Sequence, residues 1–160
     1  MAVQDAKEWQ SAQDVGASSA RNLLAGPPAP PSFENEKLVC YVDAAWDAST
    51  RNCGFAGIFK GSEHGKIQSF KDSRRYVESA LIAEALAIRK AVLEAFMSNV
   101  DSLLVLSDSQ TLVKLLKTKG SRTELSNILT DIYYFGSRLK ACSFYVTLRP
   151  TQWQSRCLYL

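Results

Sequence analysis

The chain has 160 residues, enough for one domain of ordinary size with length left over for a tail or linker. Hydrophobic residues make up 46% and charged residues 22%, which excludes a disordered or membrane-embedded chain. A net charge of +3 permits contact with nucleic acid without requiring it, since binding depends on where the charges cluster.

The first five residues, Met1-Ala2-Val3-Gln4-Asp5, lack the basic start and apolar stretch of a secretion signal, and no apolar run approaches the ~20 residues that span a bilayer. An intracellular protein, nuclear or cytoplasmic, is expected, with no membrane association. Residues 1–25 form a polar segment in which Asp5 to Leu24 could be helical, although Gly16 and the Ala/Ser content weaken that expectation. Gly26-Pro27-Pro28-Ala29-Pro30-Pro31 cannot sustain a helix or central strand, so residues 26–36 read as a stiff linker.

A compact domain is expected over residues 37–149. Lys37 to Trp46 is strand-like, Ser49-Thr50-Arg51-Asn52 turns the chain, and Cys53 to Lys60 is a second strand. A turn at Gly61-Ser62-Glu63-His64-Gly65 leads to a third strand predicted over Lys66 to Phe70, completing an antiparallel meander. Ser79 opens a helix from Ala80 to about Met97, rich in Ala, Leu, Glu, Arg and Lys. A short buried strand, Ser102 to Leu106, follows. Then come a helix from Ser109 to Lys117, a break at Gly120, a helix from about Thr123 to Leu139, and a last strand from Ala141 to Leu148. This order predicts one mixed α/β sheet flanked by helices.

Four cysteines form no C-x-x-C pair and there is one histidine, so zinc-site arithmetic fails. Cys40 and Cys142 lie in apolar runs, as buried thiols commonly do. His64 falls in a turn and receives no catalytic role, and Trp46 reads as core or site wall.

Carboxylates carry the chemistry. Leu81, Ala85, Ile88 and Val92 mark the packed face of the first helix, and Glu84 shares that face or its edge. A carboxylate there is costly unless something cationic satisfies it, although a first-turn Glu favoured by the helix dipole is the ordinary explanation. Asp43 stands where an apolar strand runs out, and Asp108 follows another strand and precedes a helix. Such residues line clefts in α/β sheets, but Asp108 or Ser109 would serve equally as a helix N-cap. If the two strands are neighbours and the helix crosses between them, all three carboxylates converge. Close carboxylates repel unless a hard cation holds them, and a pair of Mg²⁺ ions about 4 Å apart is a standard device for phosphodiester cleavage.

Tyr41-Val42-Asp43-Ala44-Ala45-Trp46-Asp47, Ala83-Glu84-Ala85-Leu86-Ala87-Ile88-Arg89 and Ser107-Asp108-Ser109-Gln110 resemble, in order and spacing, motifs of the ribonuclease H-like domains of plant non-LTR retrotransposons and their host-encoded relatives. The resemblance runs from about Leu38 to Arg149, and residues 5–31 look like the segment that precedes this domain in such elements. It implies a five-stranded mixed sheet, three antiparallel strands then two parallel, flanked by helices. It also implies cleavage of the RNA strand of RNA–DNA hybrids with Mg²⁺ or Mn²⁺, by a monomer without a small-molecule cofactor. Carried over by position, Asp43, Glu84 and Asp108 would be the catalytic metal ligands. Ser109 and Gln110 would contact the hybrid's minor groove, which suits recognition by shape and 2′-hydroxyls.

The family pattern continues past the last strand with Arg and then Asn-x-x-Ala-Asp, which starts a final helix and brings a fourth carboxylate. Here Arg149 is in place, but Pro150-Thr151-Gln152-Trp153-Gln154-Ser155-Arg156-Cys157 follows, and no acidic residue occurs after Asp131. The final helix is therefore expected to be missing, residues 150–160 forming a divergent tail, and activity is expected to be impaired or lost. The genetic code offers a cause. If Gln152 to Cys157 are encoded CAA-TGG-CAR-AGC-CGA-TGC, with C next, reading one nucleotide later gives Asn-Gly-Lys/Arg-Ala-Asp-Ala. A frameshift or altered splice junction would then have replaced the helix. Sequencing the coding DNA should reveal Asn-Gly-x-Ala-Asp in the shifted frame; a shifted frame without it sinks this origin.

Overall fold

The computed structural model describes residues 36–147. Five strands form one sheet: β1 (Val39–Trp46), β2 (Cys53–Lys60), β3 (Phe70–Arg74), β4 (Ser102–Ser107) and β5 (Ala141–Val146), in the spatial order β3-β2-β1-β4-β5. β1 pairs with β2 and β2 with β3 antiparallel, as short connections require, whereas β4 runs parallel to β1 and β5 parallel to β4. Both parallel steps are crossovers through helices. α1 (Ala80–Met97) joins β3 to β4, and α2 (Gln110–Lys117) and α3 (Ser126–Ser137) join β4 to β5. The expected five-stranded mixed sheet is the one found.

Two serines set where helices begin. Ser79 Oγ accepts a hydrogen bond from the Ile82 N–H at 3.2 Å, and Ser109 Oγ accepts one from the Leu112 N–H at 3.4 Å. Each satisfies an amide that the helix itself leaves unpaired. α1 buries Ala83, Ala85, Leu86, Ala87, Ile88, Ala91, Val92 and Ala95. Its many alanines let the helix lie close to the sheet, where Cys40, Val42, Ala44, Phe55 and Val105 complete the same core. Leu112 and Leu116 from α2 and Ile128, Leu129 and Ile132 from α3 join it. Leu81, predicted on the packed face, is half-buried at its margin.

Three boundaries differ from expectation. The third strand is not Lys66 to Phe70: His64–Lys66 is a 3-10 turn, and the strand runs Phe70–Arg74. Four of its five residues are exposed, so it has no apolar alternation to announce it. Instead it is located by Gly57, opposite Phe70 in the ladder, where a side chain would come within 2.4 Å of the Phe70 ring. The helix expected from Thr123 to Leu139 divides into a 3-10 turn, Thr123–Leu125, and α3 proper, which ends at Ser137. β5 ends at Val146, and Leu148 lies outside the described residues, as do the N-terminal segment, the proline linker and the tail. Among the described residues, no helix is long and apolar enough to cross a membrane.

Cys40, Cys53 and Cys142 are free thiols. Burial pushes the thiol of fully buried Cys40 well above its ordinary value and that of half-buried Cys142 up to about 12, so neither is poised as a reactive thiolate. Gly57→Ala should cost about 1–3 kcal/mol, because the added methyl must displace a packed ring, whereas Gly65→Ala meets open space and should change little. Denaturant midpoints of the two variants check this. Equal midpoints would contradict the close β2–β3 approach.

Candidate metal centre

The parallel pairing of β1 and β4 matches Val39 with Leu104, Cys40 with Val105 and Tyr41 with Leu106. Two residues beyond the last matched pair stand Asp43 on one side and Asp108 on the other. The register therefore carries both carboxylates to the same end of adjacent strands. α1 begins at Ala80 and packs across β1, so Glu84, a full turn into the helix, comes down beside them. Asp43, Glu84 and Asp108 each present an oxygen, and these three oxygens lie within 4.8 Å of one another. Asp43 is 4% exposed, and Glu84 and Asp108 are half-buried. Among the described residues, no other group of three His, Cys, Asp or Glu side chains converges in this way.

Local hydrogen bonds hold the cluster in place. Asp43 Oδ1 accepts from the Ala44 N–H at 2.9 Å, and one Glu84 oxygen, Oε2, is shut off from solvent. Ser107, completely buried, accepts the Ser109 N–H on its Oγ at 3.2 Å, while its carbonyl accepts the Thr147 N–H at 2.9 Å. That hydroxyl shapes the turn that presents Asp108. Ser107 received no role from sequence reasoning, because nothing in a serine after an apolar run distinguishes a turn-forming hydroxyl from an exposed one.

The ordinary explanations fare unevenly. The first turn of α1 contains no acidic residue, so the helix dipole does not account for Glu84. Ser109, not Asp108, caps α2. Ser109 is half-buried and its hydroxyl is engaged in the cap, while Gln110 is exposed at the start of the helix. Both follow Asp108 in the chain. A neighbouring acid, Asp47, is not part of it. Hydrogen bonds from the Ser49 hydroxyl and N–H tie Asp47 into the β1–β2 turn and hold its carboxyl below the ordinary value. Trp46 packs against the core and donates its indole N–H to the Val77 carbonyl at 2.8 Å, as a core residue would. His64 is exposed in the 3-10 turn, with Nδ1 2.7 Å from the Gly61 carbonyl oxygen.

Chemically, the cluster is a compact all-oxygen donor set without histidine or thiolate. That composition suits hard divalent cations such as Mg²⁺ or Mn²⁺ and not zinc. Three negative groups this close destabilise one another unless a cation offsets them.

Solved structures share this architecture. The RNase H1 of Halobacterium salinarum aligns with a TM-score of 0.63 at 17% identity, over 78% of this chain and 93% of that one. The LC11 RNase H1, solved in complex with an RNA/DNA hybrid, aligns with a TM-score of 0.59 at 18% identity, over 78% and 93%. The prototype foamy virus protease–reverse transcriptase aligns with a TM-score of 0.54 at 17% identity, over 81% of this chain but 21% of the viral one. The fold is thus that of a ribonuclease H-like domain. No curated protein matches the chain in sequence. Residues 41–152 do match the family described as reverse transcriptase-like, and the chain belongs to that family.

If the cluster takes a divalent cation, the folded state gains stability by mass action. For a site with a Kd near 1 mM, 10 mM Mg²⁺ contributes roughly 1.4 kcal/mol, several degrees in the melting temperature of a domain this size. Asp43→Asn and Asp108→Asn should each abolish the shift. The same shift in wild type and both variants would place cation binding elsewhere.

Proposed function

We propose that Asp43, Glu84 and Asp108 are the metal ligands and catalytic carboxylates of an endonuclease acting on the RNA strand of RNA–DNA hybrids. The observation that carries this reading is the convergence of three carboxylate oxygens within 4.8 Å, on a ribonuclease H-like sheet. Asp43, Glu84 and Asp108 would hold the cation, with Mg²⁺ or Mn²⁺ as the fitting ions. Bound there, the ion would supply Lewis-acid polarisation of a phosphate oxygen and a more acidic water. The chain's own contribution is rigidity: Ser107 fixes the Asp108 turn and the Ala44 N–H fixes Asp43. Ser109 and Gln110, at the start of α2, would meet the hybrid's minor groove and its 2′-hydroxyls.

We place the domain at residues 37–149, after a linker at 26–36, and assign it to the plant non-LTR retrotransposon type. The order and spacing of the three motifs support that assignment. Residues 132–160 contain no Asp or Glu, so a fourth carboxylate cannot come from them. That favours weak turnover, and it also favours a second reading, a retroelement-derived domain that binds nucleic acid without cutting it.

Incubating the chain with an end-labelled RNA–DNA hybrid and Mg²⁺ tests both. Cleavage should appear and fall at least about a hundredfold in Asp43→Asn, since even groups behind metal ligands cost 10- to 100-fold. Equal background from both proteins would refute the nuclease. Hybrid retention without cleavage would select the second reading.

A further inference from the structure

A cleft of about 770 Å³ lies away from the carboxylates, between the ends of α2 and α3 and the strand β5. Five consecutive residues of β5, 141 to 145, line it. Side chains alternate between the two faces of a strand, so a hollow on one face would meet every second residue. Lining by five consecutive residues puts the cleft along the backbone of this strand.

The edge of β5 offers main-chain hydrogen bonds. The Ala141 N–H donates to the Asp101 carbonyl at 3.3 Å and the Thr147 N–H to Ser107 at 2.9 Å, which turns odd-numbered residues toward β4. By alternation, the N–H and C=O groups of Cys142, Phe144 and Val146 are directed outward. β5 is the last strand of the sheet among the described residues. Its sequence, ACSFYV, contains no charge and no proline. Tyr145 and Val146 are 40% and 43% exposed.

The walls of the cleft say what would fit. Leu116, Ile132 and Phe144 give it an apolar floor, and Lys117, Lys119 and Lys140 bring positive charge to it, with no carboxylate among the described lining residues. Lys117 Nζ sits 4.1 Å above the Tyr145 ring, and Lys140 makes an exposed ion pair with Asp101 at 3.3 Å, weak enough to exchange. Three lysines, two of them engaged, are too few to track a nucleic-acid backbone. They are enough to select the charge of a strand that main-chain bonds already hold.

We propose that the β5 edge and its cleft form a docking site for an extended acidic peptide of a partner protein, which adds to the sheet as a sixth strand. Alternate side chains of the peptide would enter the apolar floor while its carboxylates meet the lysines, a mode in which main-chain bonds give affinity and pockets give specificity. The site is independent of the carboxylate cluster, and so is its test.

The probe is a fluorescein-labelled heptapeptide of alternating glutamate and valine, titrated against the full chain and followed by fluorescence anisotropy. Its lysine–valine counterpart should bind at least about tenfold more weakly. N-methylation of alternate peptide nitrogens removes main-chain donors while leaving the protein untouched, and should cost a similar factor. Lys117→Glu combined with Lys140→Glu, at exposed positions, should lose the acidic peptide and gain the basic one. The proposal is overturned by the absence of saturable binding up to about 1 mM, by equal affinity for both peptides, or by indifference to N-methylation. It is equally overturned if a single-stranded oligonucleotide displaces the peptide at lower concentration, or if light scattering shows a dimer that excludes it.

Discussion

The functional geometry depends on the parallel pairing of β1 with β4. Antiparallel neighbours would bring the C-terminal end of one strand beside the N-terminal end of the other, and Asp43 and Asp108 would sit far apart. Parallel pairing with Tyr41 opposite Leu106 places both just beyond the matched residues, at one end of the sheet. It also requires a crossover between the two strands, and α1 is that crossover. The connection that makes the pairing possible therefore delivers the third carboxylate, Glu84, onto the same end.

Three carboxylates are held together here around a buried Asp43, an arrangement that a bound cation would stabilise. The surrounding structure is held by packing. Completely buried alanines at 83, 85, 87, 91 and 95 bring α1 close to the sheet, and the two serine caps hold the starts of α1 and α2. The composition and closeness of the cluster make it a candidate cation site.

Much of this was legible in the amino-acid order. β1, β2, α1 and β4 have strong local signals, apolar runs or helical spacing, and stand within a residue or two of their predicted bounds. Elements held by tertiary partners were harder to read. β3 is a polar edge strand whose position follows from the Phe70 ring meeting Gly57, a contact invisible until the hairpin forms. Among the site residues, Asp43, Glu84 and Asp108 each had an ordinary explanation, and only their order on strand, helix and strand joined them. Ser107 had no local signal at all, because its value lies in a hydrogen bond made after the turn exists. The β5 edge was likewise hidden: the strand was predicted, but not the cleft beside it.

The central claim is that these carboxylates are a cation site. Crystals of the full chain grown with Mn²⁺, with anomalous diffraction collected at the manganese edge, test it most directly. The account predicts an anomalous peak coordinated by oxygens of Asp43, Glu84 and Asp108, lost in crystals of Asp43→Asn. Well-ordered carboxylates without such a peak, at a Mn²⁺ concentration of about 10 mM that saturates weak sites, would contradict it.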